Sequence, residues 1–169
     1  LPAAAPAVAT ASTPLTPIKP PEIARAQENV LTLDYMDVTA GGESLKQAHY
    51  TDAQPFVFKK NGMDRNPWDH AVQFKDEFLR MEFPPTSGFE ATYHFDIEGP
   101  VPAALTFVLE RPDLYTVQCN GEKVTAEPDT WWVDRAFGRI NIAKQAKTGE
   151  NVVTIAAMPF TVFHELEAA

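Results

Sequence analysis

Three tryptophans and a short run of charged side chains are the residues best suited to contact a ligand. Trp131 and Trp132 are adjacent, Asp134 and Arg135 follow closely, and Trp68 lies in the segment NPWD. An exposed indole offers a flat apolar surface on which a sugar ring can stack, and nearby polar groups can fix the ring's hydroxyls. The pattern therefore predicts a carbohydrate contact, and its candidate residues are Trp131, Trp68, Asp134 and Arg135.

Structural roles for the same residues stay open. Adjacent strand residues point to opposite faces, so only one of Trp131 and Trp132 can face a core. Trp131 could instead pack against a neighbouring domain, and Trp68 could anchor its segment onto the fold. Asp134 and Arg135, followed by Arg139, could form a polar pocket, or they could form a surface ion pair, which contributes at most about 1 kcal/mol.

Patterns typical of catalysis and of metal binding do not occur in the sequence. There is no nucleophile elbow and no glycine-rich phosphate loop, and the run HELEA from His164 lacks the second histidine of a zinc-protease helix. The four histidines show no ligand spacing. We therefore expect no catalytic residue, no metal ligand set and no cofactor, while a structural calcium ion bound by carbonyl oxygens and by Asp or Glu stays open.

The charge and the lack of long apolar runs argue against nucleic acid and membrane partners, and the single cysteine is predicted to be structural. The net charge is −9, and the 14 basic side chains form no cluster, so we expect no nucleic acid partner. No apolar run approaches the roughly 20 residues of a membrane helix, so we expect no membrane partner either. Cys119 is the only cysteine, and its alternating context predicts a small buried strand residue.

The domain organisation is predicted from length and proline content. Residues 1–21 hold six of the 15 prolines, separated mainly by Ala and Thr, which is typical of an extended linker. Residues 22–169 are sufficient for one domain with a core. We expect the whole chain to be a piece of a larger polypeptide, in which residues 1–21 connect domains.

Alternating apolar residues and turn signals predict an all-β sandwich. Leu31, Leu33 and Tyr35 are expected to point inward from a first strand, and Phe89 to Ile97 alternate most clearly. Further strands are predicted over 105–109, 115–119, 122–124, 139–142 and 151–157. Residues 43–83 are too apolar for a loop, and we expect a long, partly irregular insertion that covers one edge of the sandwich.

The second half of the chain resembles a known family of β-sandwich domains. Residues 115–124 read YTVQCNGEKV, WWVD follows at 131–134, INI at 140–142, and KTGENVVTI at 147–155. This order is similar to the galactose-binding-like jelly roll, as in the sugar-binding domain of family 2 glycoside hydrolases and related large bacterial glycosidases. The resemblance implies a jelly-roll fold in which Trp132 is the buried tryptophan.

The resemblance also implies a functional context. It predicts a non-catalytic, carbohydrate-binding-like accessory module of a larger glycan-degrading enzyme that is secreted or periplasmic. Its partners would be carbohydrate, the catalytic domain of the same polypeptide, or both. Two alternatives stay open: a purely structural sandwich that docks onto neighbouring domains, and a small independent jelly-roll hydrolase that uses two carboxylates.

Overall fold

The computed structural model describes residues 19, 22, 24, 26–69 and 75–169, so the predicted linker over 1–21 lies almost entirely outside the described residues. The strands are β1 Tyr35–Ala40, β2 Glu43–His49, β3 Phe89–Ile97, β4 Thr106–Glu110, β5 Thr116–Cys119, β6 Glu122–Val124, β7 Trp131–Trp132, β8 Asp134–Asn141 and β9 Gly149–Ala157. The helices are α1 Tyr50–Lys60 and α2 Lys75–Phe78, with 3₁₀ turns at Pro67–Asp69 and Pro112–Leu114.

The described strands form two antiparallel sheets around one core. A six-stranded sheet has the order β2-β1-β3-β9-β5-β6, and a three-stranded sheet has the order β4-β8-β7. The larger sheet contributes Tyr93 and Ile155 to the buried cluster, and the smaller sheet contributes Phe107, Leu109 and Ile140. The described chain is therefore mostly β and antiparallel, as the alternating pattern predicted.

Strands β3 and β9 form the centre of the larger sheet. Their register runs from Phe89 opposite Ala157 to Ile97 opposite Gly149. Tyr93 is fully buried, and its hydroxyl donates a hydrogen bond of 2.8 Å to the Leu166 carbonyl, so the phenol is not left unpaired in the core. The clearest alternation in the sequence thus marks the most central strand pair.

The first strand begins later than predicted, and in the opposite phase. Met36 and Val38 face the core, whereas Tyr35 is 63% exposed. Residues 26–34 belong to no strand, and the Leu33 amide donates to the Ala168 carbonyl at 2.9 Å. The predicted inward position of Tyr35 is wrong because the alternation of Leu31 and Leu33 does not continue into the paired region.

The predicted insertion over 43–83 begins with regular structure. Residues Glu43–His49 form β2, which pairs with β1 at the edge of the larger sheet and has a register shift opposite Met36 and Val38. Helix α1 then packs its buried Val57 and Phe58 next to β1 and β2. The sequence did not predict this helix because Pro55 and the aromatic and β-branched run PFVF have low helix propensity.

The hairpin between β5 and β6 turns where the sequence predicted it. Asn120 and Gly121 have φ values of 50° and 84°, the two positive angles that a type I′ turn requires. The Asn120 side chain donates to Gln145 O and to Asn151 Oδ1 at 2.8 and 2.9 Å. Cys119, at the end of β5, is fully buried, as expected.

Candidate functional site

The β7–β8 hairpin holds Trp131 and Trp132 in different surroundings. Trp131 is 46% exposed, whereas Trp132 is half-buried and is not part of the core. The pairing passes from Trp131 opposite Gly138 to Trp132 opposite Asp134, so residues 135–137 form a bulge in the β7–β8 pairing, although Phe137 still pairs with Glu110 of β4. The expectation that Trp132 is a core residue is wrong, because β7 has only two residues and this bulge interrupts its register.

Val133 forms the tip of the hairpin in a strained conformation. Its φ is 66°, and its side chain is 81% exposed. A β-branched residue rarely adopts a positive φ, and such strain is concentrated at binding and catalytic sites. The hairpin tip is therefore an exposed, apolar feature of the surface.

Trp132 lines an open groove of about 370 Å³ beside the three-stranded sheet. We call it the Trp132 groove, and its wall is completed by Glu28, Asn29, Val30, Leu31, Leu33, Phe95, Pro102, Ala104, Leu105, Thr106, Phe107, Val108, Arg139, Ile142 and Ala169. Val108 and Arg139 are cross-strand partners in β4 and β8. Most of the wall is apolar, with Thr106, Asn29 and two charged side chains as its polar groups.

The two charged side chains of the Trp132 groove bind each other. Arg139 donates from Nη1 to Glu28 Oε1 at 3.4 Å, and its Nη2 pairs closely with Glu28 Oε2. The Arg139 side chain is 24% exposed and that of Glu28 is 65% exposed. The Nε atom of Arg139 is buried and has no hydrogen-bond partner among the described residues. The groove thus contains one guanidinium whose hydrogen bonding is incomplete.

The predicted site residues are not gathered into one pocket. The guanidinium of Arg135 lies 5.4 Å from the centre of the Trp131 ring, a cation–π contact. Asp134 Oδ1 accepts from the amide of Ala136 at 2.8 Å, so it shapes its own turn. Among the described residues, no ion pair joins Asp134 to Arg135.

Trp68 lies far along the chain from this hairpin and has the contacts of an anchor. Its Nε1 donates to the Val162 carbonyl at 2.7 Å. Its ring centre lies 5.2 Å from that of Phe78 and 5.4 Å from that of Phe163. These contacts attach the segment after α1 to the residues that follow β9, as the structural reading of Trp68 predicted.

Two other polar clusters are less suited to hold a ligand. Arg135 lines a second cleft of about 540 Å³ near β5 and β6, which no tryptophan lines and in which Arg111 and Asp113 form a bidentate pair. On the larger sheet, His94 lies 3.7 Å from Asp37 and 3.6 Å from Glu150. A hydrogen bond from Lys46 lowers the pKa of Asp37, so this carboxylate is also engaged.

The described residues contain neither a cluster of metal-binding side chains nor a membrane-spanning helix. No group of three or more His, Cys, Asp or Glu side chains among them is arranged to hold a metal ion. A calcium site built largely from carbonyl oxygens stays a prediction. Within the described part of the chain, no helix has the length and apolar character needed to cross a bilayer.

Glu28 is a charged residue of the Trp132 groove that the sequence alone did not indicate. It lies 111 residues before Arg139 and has no pattern around it that indicates a site. Arg139 and Trp132 carried a signal, because both follow closely on the predicted Trp131 in the sequence. Only the folded chain shows that these two residues, and not Asp134 and Arg135, line the same groove.

Comparison with known proteins gives a similarity to solved structures but none at the level of sequence families. No family model matches the sequence, and no curated protein matches it. Among solved structures, the chain is similar to a rhamnosidase from Novosphingobium sp. PP1Y, with a TM-score of 0.42 and 19% sequence identity. The similarity covers 81% of this chain and 12% of that chain, so this chain spans a small part of that protein's length.

Proposed function

We propose that this chain is a non-catalytic accessory module of a larger secreted or periplasmic glycan-degrading enzyme, and that it binds carbohydrate in the Trp132 groove. The proposal includes a jelly-roll fold of the galactose-binding type. The observation that carries it is the groove itself, in which a tryptophan, apolar walls and a few polar groups converge.

The composition of the groove suits a sugar ring. Pyranose rings have an apolar face that packs on indole, and their hydroxyls need donors and acceptors at fixed positions. Trp132 and Val108 offer apolar surface, while Thr106 and Arg139 offer polar atoms. A volume of about 370 Å³ lies within the range of small-molecule sites, and accommodates one or two sugar rings rather than a long chain.

Affinity electrophoresis through gels that contain soluble polysaccharides tests the proposal. We expect the parent chain to be retarded by at least one polysaccharide, and Trp132→Ala to lose most of this retardation because the stacking surface is removed. Tyr35→Ala is the matched control, since Tyr35 is a 63% exposed aromatic on the larger sheet and is not among the residues that line the groove. Retardation that is equal for all three proteins would contradict the proposal.

A second candidate function is docking onto a neighbouring domain. Val30, Leu31 and Val133 have exposed apolar side chains. Val30 and Leu31 belong to the groove wall, and Val133 lies in the adjoining hairpin. Monomeric proteins usually keep exposed apolar side chains scattered, so this grouping favours docking. Docking predicts a higher melting temperature for this module within the longer polypeptide than alone. Equal melting temperatures, measured calorimetrically, would argue against docking.

A further inference from the structure

We infer that the Trp132 groove selects a saccharide carrying a carboxylate, namely a uronic acid, and that the Glu28 carboxylate occupies the ligand's carboxylate position in the free chain. This inference rests on the proposed carbohydrate binding and adds the chemical class of the sugar. It is carried by the Arg139–Glu28 pair, the only charged side chains that line the groove within the described residues.

The guanidinium of Arg139 is suited to a carboxylate. Its planar set of donors matches two carboxylate oxygens, and such charge-assisted pairs are stronger than hydrogen bonds to neutral hydroxyls. Glu28 already binds this way through Nη1 and Nη2. A ligand carboxylate that displaced Glu28 would therefore meet the same two donors, Nη1 and Nη2.

Glu28 is easily displaced. Its side chain is 65% exposed, and it lies in residues 26–34, which form no helix or strand. Because the Glu28 carboxylate keeps most of its contact with water, its release from Arg139 costs a ligand little affinity once the ligand's own carboxylate replaces it. The same contact keeps the Arg139 guanidinium partnered when no sugar is bound, which avoids leaving a half-buried charge without a counter-ion.

The overall charge limits the inference to saccharides with isolated carboxylates. The net charge of −9 repels a polyanion, whereas a single carboxylate at Arg139 is attracted over a short distance. At physiological salt, charges farther apart than about 8 Å are largely screened, so the local contact dominates for a ligand with one charge. One guanidinium in the groove also fits one carboxylate.

Isothermal titration calorimetry with four probes tests the inference. The probes are two trisaccharides that each carry one uronic acid, either glucuronic or galacturonic, and the methyl ester of each. We expect at least one free acid to bind about tenfold or more tightly than its own ester, because the ester keeps the ring but removes the charge.

Variants then assign the selectivity to the Arg139–Glu28 pair. Glu28→Gln should raise the affinity for the free acid about two- to fivefold, because it removes the competing carboxylate. Glu90→Gln, an exposed position on β3, changes the net charge equally and should have no effect. Arg139→Lys keeps the charge but loses the planar donor set, and should lower the affinity about tenfold.

The outcomes separate this inference from the proposed function. Equal binding of acid and ester, or of parent and Glu28→Gln, would overturn the uronic acid inference. So would the absence of binding by either acid. If neutral polysaccharides still retard the parent chain and Trp132→Ala abolishes this retardation, carbohydrate binding in the groove is supported without selectivity for a uronic acid. If Arg139→Lys does not fold, as judged by its melting curve, the Glu28→Gln comparison still decides.

Discussion

Replacing Asn151 should destabilise the domain more than any surface change, because its side chain holds the loop between β8 and β9. The residue is fully buried. Its Oδ1 accepts from the Lys147 amide at 2.8 Å and from Asn120 Nδ2 at 2.9 Å. Its Nδ2 donates to the Lys147 and Gly149 carbonyls at 2.7 and 2.8 Å. All four hydrogen-bonding positions of the amide are therefore used.

The magnitude follows from these four bonds. Each intramolecular hydrogen bond contributes about 0.5–1.5 kcal/mol, and the contributions of neighbours are not additive. Lys147 is exposed, so some of the freed groups can reach water. We expect Asn151→Ala to lower the free energy of unfolding by about 2–4 kcal/mol, which corresponds to a fall in Tm of about 5–15 °C for a domain of this size.

Urea unfolding followed by tryptophan fluorescence measures this loss. Asn141→Ala is the matched control, because its side chain is exposed and accepts one bond, from Ala143 N at 3.1 Å; its loss should stay below about 1 kcal/mol. Asn151→Asp should be worse at pH 7 than at pH 4, since its ionised carboxylate would face two carbonyls. If Asn151→Ala unfolds at the same urea concentration as the parent, this network does not stabilise the fold.

Two further predictions concern backbone crowding and pH. A Cβ at Gly88 would lie 2.0 Å from the Ala157 carbonyl oxygen, whereas one at Gly121 would meet nothing within 4 Å. Gly88→Ala should therefore cost about 2–5 kcal/mol and Gly121→Ala only about 1–2 kcal/mol, and similar losses of stability in urea would contradict the close approach of Gly88 to Ala157. Burial lowers the pKa of His164 from 6.5 to about 4, because the folded core disfavours the charged imidazolium. The contribution of the neutral side chain to the free energy of unfolding is therefore complete above pH 6.5 and is lost as the pH falls toward 4. The loss is about 3 kcal/mol, and His164→Gln should remove this part of the pH dependence of unfolding; an unchanged pH profile would show that His164 is not responsible.

The sequence predicted those elements whose signal is local. Strand β3 was predicted because nine residues alternate without interruption, and the hairpin at Asn120 and Gly121 because few other residues adopt two positive φ values in succession. Helix α1 was missed because Pro55 and its aromatic neighbours have low helix propensity, which the burial of Val57 and Phe58 outweighs.

The candidate site was predicted only in part. Trp131 is exposed as expected, but the groove is lined by Trp132, which is displaced from the core by the bulge opposite β7. The Arg139–Glu28 pair joins a strand to an unpatterned segment 111 residues away. A local sequence pattern cannot predict this contact, because the contact depends on where residues 26–34 lie against the folded sheet.

The edges of the two sheets determine how a partner can approach. In the larger sheet, β6 has only three residues, while β2 pairs across a register shift beside Gln47, whose φ is 47°. In the smaller sheet, β7 has two residues, and Ala168 and Ala169 already bond to β4. The sheet edges therefore offer little regular, unpaired strand backbone to which another polypeptide strand could add. The same feature opposes edge-to-edge aggregation. Recognition by this domain must then depend on side chains at its grooves and hairpin tips.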